Sequence, residues 1–257
     1  RVKESCRGFT VDEVQSLRGM FVLISIRRLD FANRIIASVA QLEKETGWTI
    51  ATASGTNLTM TYRNTLQLYF NTTSFKITAS AQAKSPTNSP ISLAHITPAS
   101  LTTEKRFFLQ LMRAQLQCLD QNTISVKQLL GFVQRGWDTA SLIAEQVRCL
   151  TLEQLVDVSI LSDERLAIDV CILLPKVETK VKVGLRLTAT LSDPETEDLD
   201  IKHEIDVDAK VVYGEPYNEK NMSEFVGKRV RGQGSEGWDA TVRELKMRLV
   251  ATGRKGR

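Results

Sequence analysis

The chain has 257 residues, 42% of them apolar and 25% charged, with 34 Lys and Arg set against 30 Asp and Glu for a formal net charge of +4. That length and composition are ordinary for a soluble chain with one large domain or two small ones. The basic residues interleave with acids instead of gathering on one face, so the charge gives no footprint of a dedicated nucleic-acid binder.

Residues 1–46 read as a helical stalk. Val11, Val14 and Leu17 stand three apart, and Val39 and Leu42 repeat that spacing just before Gly47, a helix-ending residue. Between them, 19–36 is apolar, poor in acids and without a clean stripe. Deleting it puts Val14, Leu17, Val39 and Leu42 on successive a and d positions of one heptad seam. Two accounts fit: a short intron retained in the gene model, or a genuine helical insertion. A cDNA carrying the segment intact selects the second. The apolar run Met20–Ile26 within it is too short to span a bilayer and is not placed as a signal sequence.

Residues 47–150 read as a first domain. The period changes from helical to two at Trp48-Thr49-Ile50-Ala51-Thr52, again at Leu58–Tyr62, and again at Leu66–Phe70. Ser54-Gly55 and Arg63-Asn64 supply turn chemistry between these strands. Residues 72–90 read as a loop rich in Ser, Thr, Ala, Lys and Pro. Ser85-Pro86 and Ser89-Pro90 there carry the proline-directed phosphorylation dipeptide, which chance alone supplies often. Ile91–Ile96 reads as a fourth strand. A helix from near Thr103 aligns Phe107, Leu111, Ala114 and Cys118 on one face. A second opens on Ser125 and Gln128, a capping box, turns Trp137, Ile143, Val147 and Leu150 inward, and is expected to bend or break at Gly131 or Gly136.

Residues 151–257 read as a second domain. Val156, Val158 and Ile160 alternate with polar residues. So do Leu166 to Ile172, Val181 to Leu187, and His203 to Val211. Strict alternation means one buried and one wet face, hence an antiparallel meander. Trp238, Val242, Leu245 and Leu249 form the helical stripe that covers it, preceded by a shorter helix with Met222, Phe225 and Val226. The fold class is therefore α+β: a stalk, then two units of strands followed by helices.

Residues arranged for catalytic or metal chemistry are sparse in the sequence. Gly232–Gly237 matches GxGxxG, but a helix precedes it and no strand follows, against what a dinucleotide site requires. Cys6, Cys118, Cys149 and Cys171 stand far apart, with no CxxC and no His partner, and read as buried thiols of a reducing compartment. His95 and His203 have no nucleophile to serve. The acidic run Asp193–Asp200 lacks the order of a calcium loop. The sequons at Asn57, Asn71 and Asn221 have no secretory context. Arg229, Arg231, Arg254, Lys255 and Arg257 form two small basic clusters without the aromatic interleaving of a single-strand binder. No catalytic residue, cofactor site or metal site is expected. The rival readings are a ubiquitin-conjugating-like enzyme, which needs an activated exposed cysteine, and a nucleic-acid-binding module, which needs steep salt dependence.

Several runs taken together resemble a known family. Glu43-Lys44-Glu45-Thr46-Gly47-Trp48-Thr49-Ile50 follows the stalk, then Leu58–Tyr62 and Leu66–Phe70, then Leu101-Thr102-Thr103-Glu104-Lys105-Arg106-Phe107-Phe108. Later come Val212-Tyr213-Gly214-Glu215 and the Gly253–Arg257 end. Their order is similar to the C-terminal region of the fungal kinetochore-null (Blinkin-type) outer-kinetochore scaffold. The resemblance implies a coiled-coil end followed by tandem RWD domains, a fold related to ubiquitin-conjugating enzymes but without their chemistry. It implies an anchor in the nucleus, at the kinetochore, that holds the tail of a MIND-complex subunit within the KMN network. The stalk would pair with a Zwint-like coiled-coil partner, with no membrane and no direct nucleic-acid contact. The family's checkpoint- and phosphatase-binding motifs lie in an N-terminal region outside this chain. Tyr213 and Tyr217, flanking a Gly and a Pro where the last strand leaves its sheet, are expected partner-binding residues, as are Arg229 and Arg231.

Overall fold

The structure is a computed structural model that describes residues 41, 43–75, 88–97, 100–191, 199–232 and 237–253. The seam residues Val11, Val14, Leu17, Val39 and Leu42, the 19–36 segment and Ser85 lie outside the described residues. Residues 43–46 are helical.

Two four-stranded antiparallel meanders form the frame. The first runs β1 (Trp48–Ser54), β2 (Asn57–Tyr62), β3 (Leu66–Asn71) and β4 (Ser92–His95) in sequential order. Its hairpins turn where the sequence predicts. Gly55 (φ +59°) closes one, and Arg63 and Asn64, both at positive φ, close the next. The alternating residues Leu66, Leu68 and Phe70 of β3 are fully buried. Helix α1 (Thr103–Cys118) packs on β4 and against α2 (Val126–Thr151).

The second meander is longer: β5 (Leu155–Ser162), β6 (Arg165–Leu174), β7 (Thr179–Leu191) and β8 (Ile201–Tyr213). Leu166, Ile168, Val170 and Ile172 of β6 face Leu187, Leu185, Val183 and Val181 of β7 in register, and all eight are buried. Helix α3 (Glu219–Gly232) packs on β8. Helix α4 (Trp238–Gly253) packs on β6, α2 and α3 through its predicted stripe of Trp238, Val242, Leu245 and Leu249. The GxGxxG run thus sits between two helices, with no strand before it.

Two expectations need correction. Helix α2 is continuous for 26 residues through Gly131 and Gly136. Its Ser125–Gln128 capping box forms as predicted, with Ser125 Oγ accepting from the Gln128 amide. Gly136 serves close packing instead of a bend: a Cβ there would lie 2.6 Å from Met112 Sδ and 2.9 Å from Ile201 Cδ1. It is where α1, α2 and the start of β8 meet. The cysteines are also less buried than expected, because the last turn of α1 leaves Cys118 exposed and Cys149 and Cys171 are half-buried. Buried side chains of both meanders and all four helices form one contiguous core.

Candidate functional site: an apolar groove and four sheet edges

A concavity of about 800 Å³ opens where β1 and β2 run past the N-terminal half of α2. Trp48 pairs with Tyr62, and Ile50 with Met60, so these four side chains share one face of the first sheet. The inner pair is buried, its rings 5.1 Å apart. Ile50, 50% exposed, stands at the open end. Val126 and Leu130, one helical turn apart on α2, form the opposite wall. Leu199, just before β8, closes the third side. Arg135 holds it there, donating to the Leu199 carbonyl and pairing with Asp200 at 3.1 Å. Glu43, Lys127 and Gln134 provide a polar rim.

The floor is held by hydrogen bonds. Tyr62 Oη donates to Asp138 at 2.9 Å, with Arg63 3.3 Å from the same carboxylate. Burial, and then the Asp138 charge, push the Tyr62 phenol up to about 12. Trp137 Nε1 donates to Thr65 Oγ1 at 3.1 Å. Trp48 Nε1, buried at the groove, has no hydrogen-bond partner among the described residues. The groove offers mostly apolar surface, with Glu43, Lys127 and Arg135 as titratable side chains of its lining. Among the described residues no group of His, Cys, Asp and Glu is placed to hold a metal. Cys149 is set against thiolate chemistry, its pKa raised by burial first and then by Glu145.

The sequence-derived binding residues lie elsewhere. Tyr213 ends β8 and is 54% exposed. Tyr217 donates its hydroxyl to the Leu249 carbonyl at 2.8 Å and so ties the chain after β8 to α4. Arg229 pairs with Glu244 and lies over the Phe225 ring. Arg231 donates to the Ile205 carbonyl at 2.9 Å and to Asp206 at 2.8 Å. The two tyrosines both precede the start of α3 and the two arginines sit in its last turn, so the ends that carry them are about 15 Å apart by helical rise. The structure does not bring the four together, nor set them in the groove. Sequence reasoning missed Ile50, Met60, Leu130 and Leu199. The available signal was that Trp48, Ile50, Met60 and Tyr62 make one apolar row longer than a single capped helix end can cover.

The sheet edges differ in protection. Along β8, α3 satisfies the outward backbone: Glu219 accepts from the Val211 amide at 2.8 Å, Ser223 from Ala209 at 2.9 Å, and Arg231 takes the Ile205 carbonyl. On β4, four residues long, Arg113 Nε takes the Leu93 carbonyl at 2.8 Å. The β1 edge carries a bulge between Ile50 and Thr52, and Glu43 accepts from the Ile50 amide at 3.3 Å. These are the usual ways of blunting an edge.

Two small sheet-and-helix units with an apolar groove between a sheet face and a helix define a class of fold that takes up other polypeptides. The family model described as the Knl1 RWD C-terminal domain matches residues 1–144, more than half of the chain. The chain belongs to that family, and is a kinetochore protein-interaction module built on RWD-like folds. The match ends within α2, so the second meander lies beyond it. Neither a curated protein nor a solved structure matches the chain.

Proposed function

We propose that this chain anchors an outer-kinetochore scaffold to the MIND complex by holding an extended tail of one MIND subunit in the groove between β1–β2, α2 and Leu199. Through that anchor it supports microtubule attachment, chromosome segregation and checkpoint signalling. In this reading 47–150 and 151–257 are two RWD-like domains that share α2 as a common wall, and residues 1–46 take a Zwint-like coiled-coil partner. The single observation that carries it is the apolar row of exposed Ile50 and half-buried Met60, Val126 and Leu130, on a surface to which Leu199 of the second lobe also contributes. A monomeric soluble protein has little other use for such a patch. Affinity would rest on a few buried anchors, with charge at the rim setting register.

The test is binding of purified MIND complex to the 257-residue chain. Ile50→Asp is expected to weaken it by tenfold or more without loss of folding, because Ile50 is half-exposed. Tyr213→Ala with Tyr217→Ala provides the competing location. If wild type does not bind MIND, the reading fails. If only the tyrosine pair matters, the groove is the wrong place.

A further inference from the structure

Strand β5, against which α1 and α2 pack, is the one sheet edge whose outward backbone groups are unbonded among the described residues. It pairs with β6 alone. Among the described residues, no side chain and no other strand bonds its outward amides and carbonyls, in contrast to the three edges above. Its sequence, Leu-Val-Asp-Val-Ser-Ile-Leu-Ser, has no Lys, Arg or Pro to discourage pairing. Its bulge falls at the hairpin end, between Ile160 and Ser162, so Leu155–Ile160 keeps a regular register. Leu155 and Leu161 are 67% and 58% exposed.

We propose that β5 pairs antiparallel with β5 of a second copy of this chain, joining two second-lobe meanders into one continuous eight-stranded sheet. The strand fits itself. A two-fold axis normal to the sheet must place one residue opposite its own copy. With Val158 on the axis, Val156 faces Ile160 of the second copy on the inner side, where each already extends an apolar row: Val156 beside Val170, Val158 beside Ile168, Ile160 beside Leu166. On the outer side Asp157 faces Ser159, so carboxylate meets hydroxyl. Moving the axis by one residue would set Asp157 against its own copy, or Ser159 against Ser159 and Asp157 against Leu161. Only the Val158 register keeps apolar with apolar and avoids like charges. This inference is independent of the groove and its occupant.

The test uses the intact 257-residue chain in sedimentation across a concentration series. Wild type is expected to form a dimer that dissociates on dilution. Ser159→Asp sets two new like-charge pairs across the axis and is expected to raise the dissociation constant at least about fivefold, while Ser159→Lys, facing Asp157, lowers it. Both substitutions fall at an exposed position, so thermal melting of the diluted variants should match wild type. Under mild oxidation Val158→Cys should give a disulfide that joins the two copies through the substituted position, identified by peptide mass, and Ser159→Cys should not. A chain monomeric at every concentration would overturn the proposal, as would equal shifts from Asp and Lys at 159. Amide protection of 155–160 gained only on adding a MIND-tail peptide, with the chain still monomeric, would assign the edge to the tail and overturn it equally.

Discussion

The two meanders share a topology but are stabilised differently. The first has strands of four to seven residues and an aromatic core, in which Trp48, Tyr62, Phe70, Phe75, Phe107, Phe108, Phe132 and Trp137 are buried. The second has strands of eight to thirteen residues and an aliphatic core, with a charged outer face on which Asp169 pairs with Lys182 at 2.9 Å and Arg186 at 2.7 Å. Short strands bury little per residue, so the first unit needs large rings, and the polar tips of those rings must be tethered. Long strands reach a sufficient core with Val, Ile and Leu and leave the other face for ion pairs. The aromatic unit therefore gains specific hydrogen bonds and an incompletely covered edge, where the groove lies. The aliphatic unit gains length and a bare strand.

The largest effects test whether the two units stand apart. Phe108→Ala and Ile168→Ala each delete a fully buried side chain, and each is expected to destabilise by about 2–5 kcal/mol. Because one contiguous core joins the units, both variants should lower the midpoint of the same single denaturant transition. Two resolved transitions, each sensitive to one variant only, would break the comparison into independent domains.

Next comes the junction. Gly136→Val forces side-chain atoms against Met112 and Ile201 and is expected to cost about 1–3 kcal/mol. It should also speed amide exchange at Leu199–Ile201, which a purely local defect in α2 would not do.

Tyr62→Phe probes the tether under the aromatic core and is expected to cost about 1–2 kcal/mol near neutral pH. The folded Tyr62 phenol titrates at about 12, above its ordinary value near 10. A raised folded pKa contributes stability that is complete below the unfolded value and is lost as pH rises through the folded one. Wild-type stability should therefore fall more steeply than that of Tyr62→Phe between about pH 10 and 12. Parallel profiles would show that the phenol is not so held.

The smallest effect belongs to the aliphatic unit. Burial works to raise the Asp169 pKa, but the paired Lys182 and Arg186 outweigh it and hold the carboxyl below its usual range. Asp169→Asn is expected to cost no more than about 1 kcal/mol at neutral pH, since Lys182 is substantially exposed. The difference from wild type should shrink as acid protonates Asp169. A constant difference would assign the cost to packing.

Sequence and structure agree most closely where a single periodicity decides the outcome. Alternation at Leu166–Ile172 and Val181–Leu187 predicts β6 and β7 because a strand with one dry face has no other pattern open to it. Ser125 and Gln128 mark the start of α2 because unpaired amides there need acceptors. What the residues do not declare is whatever depends on how one element ends against another. Ile50 and Met60 look like core until the open groove between them and Val126 and Leu130 of α2 is seen. Gly136 looks like a bend until Met112 and Ile201 are seen beside it. Arg229 and Arg231 look free until Glu244 and the β8 edge are in place. Tyr217 looks available until its hydroxyl is traced to the Leu249 carbonyl. The bare β5 edge is legible only by subtraction, once the guards on the other three are known.

Helix α2 runs for 26 residues, about 39 Å, without interruption; it packs on β5 and β8 of the second meander and is hydrogen-bonded to Tyr62 and Thr65 of the first. A rod common to both halves leaves no soft joint where they could be drawn apart one at a time. Tension entering on either side is spread over the whole body, so the module should yield all at once, at high load, instead of stretching by stages.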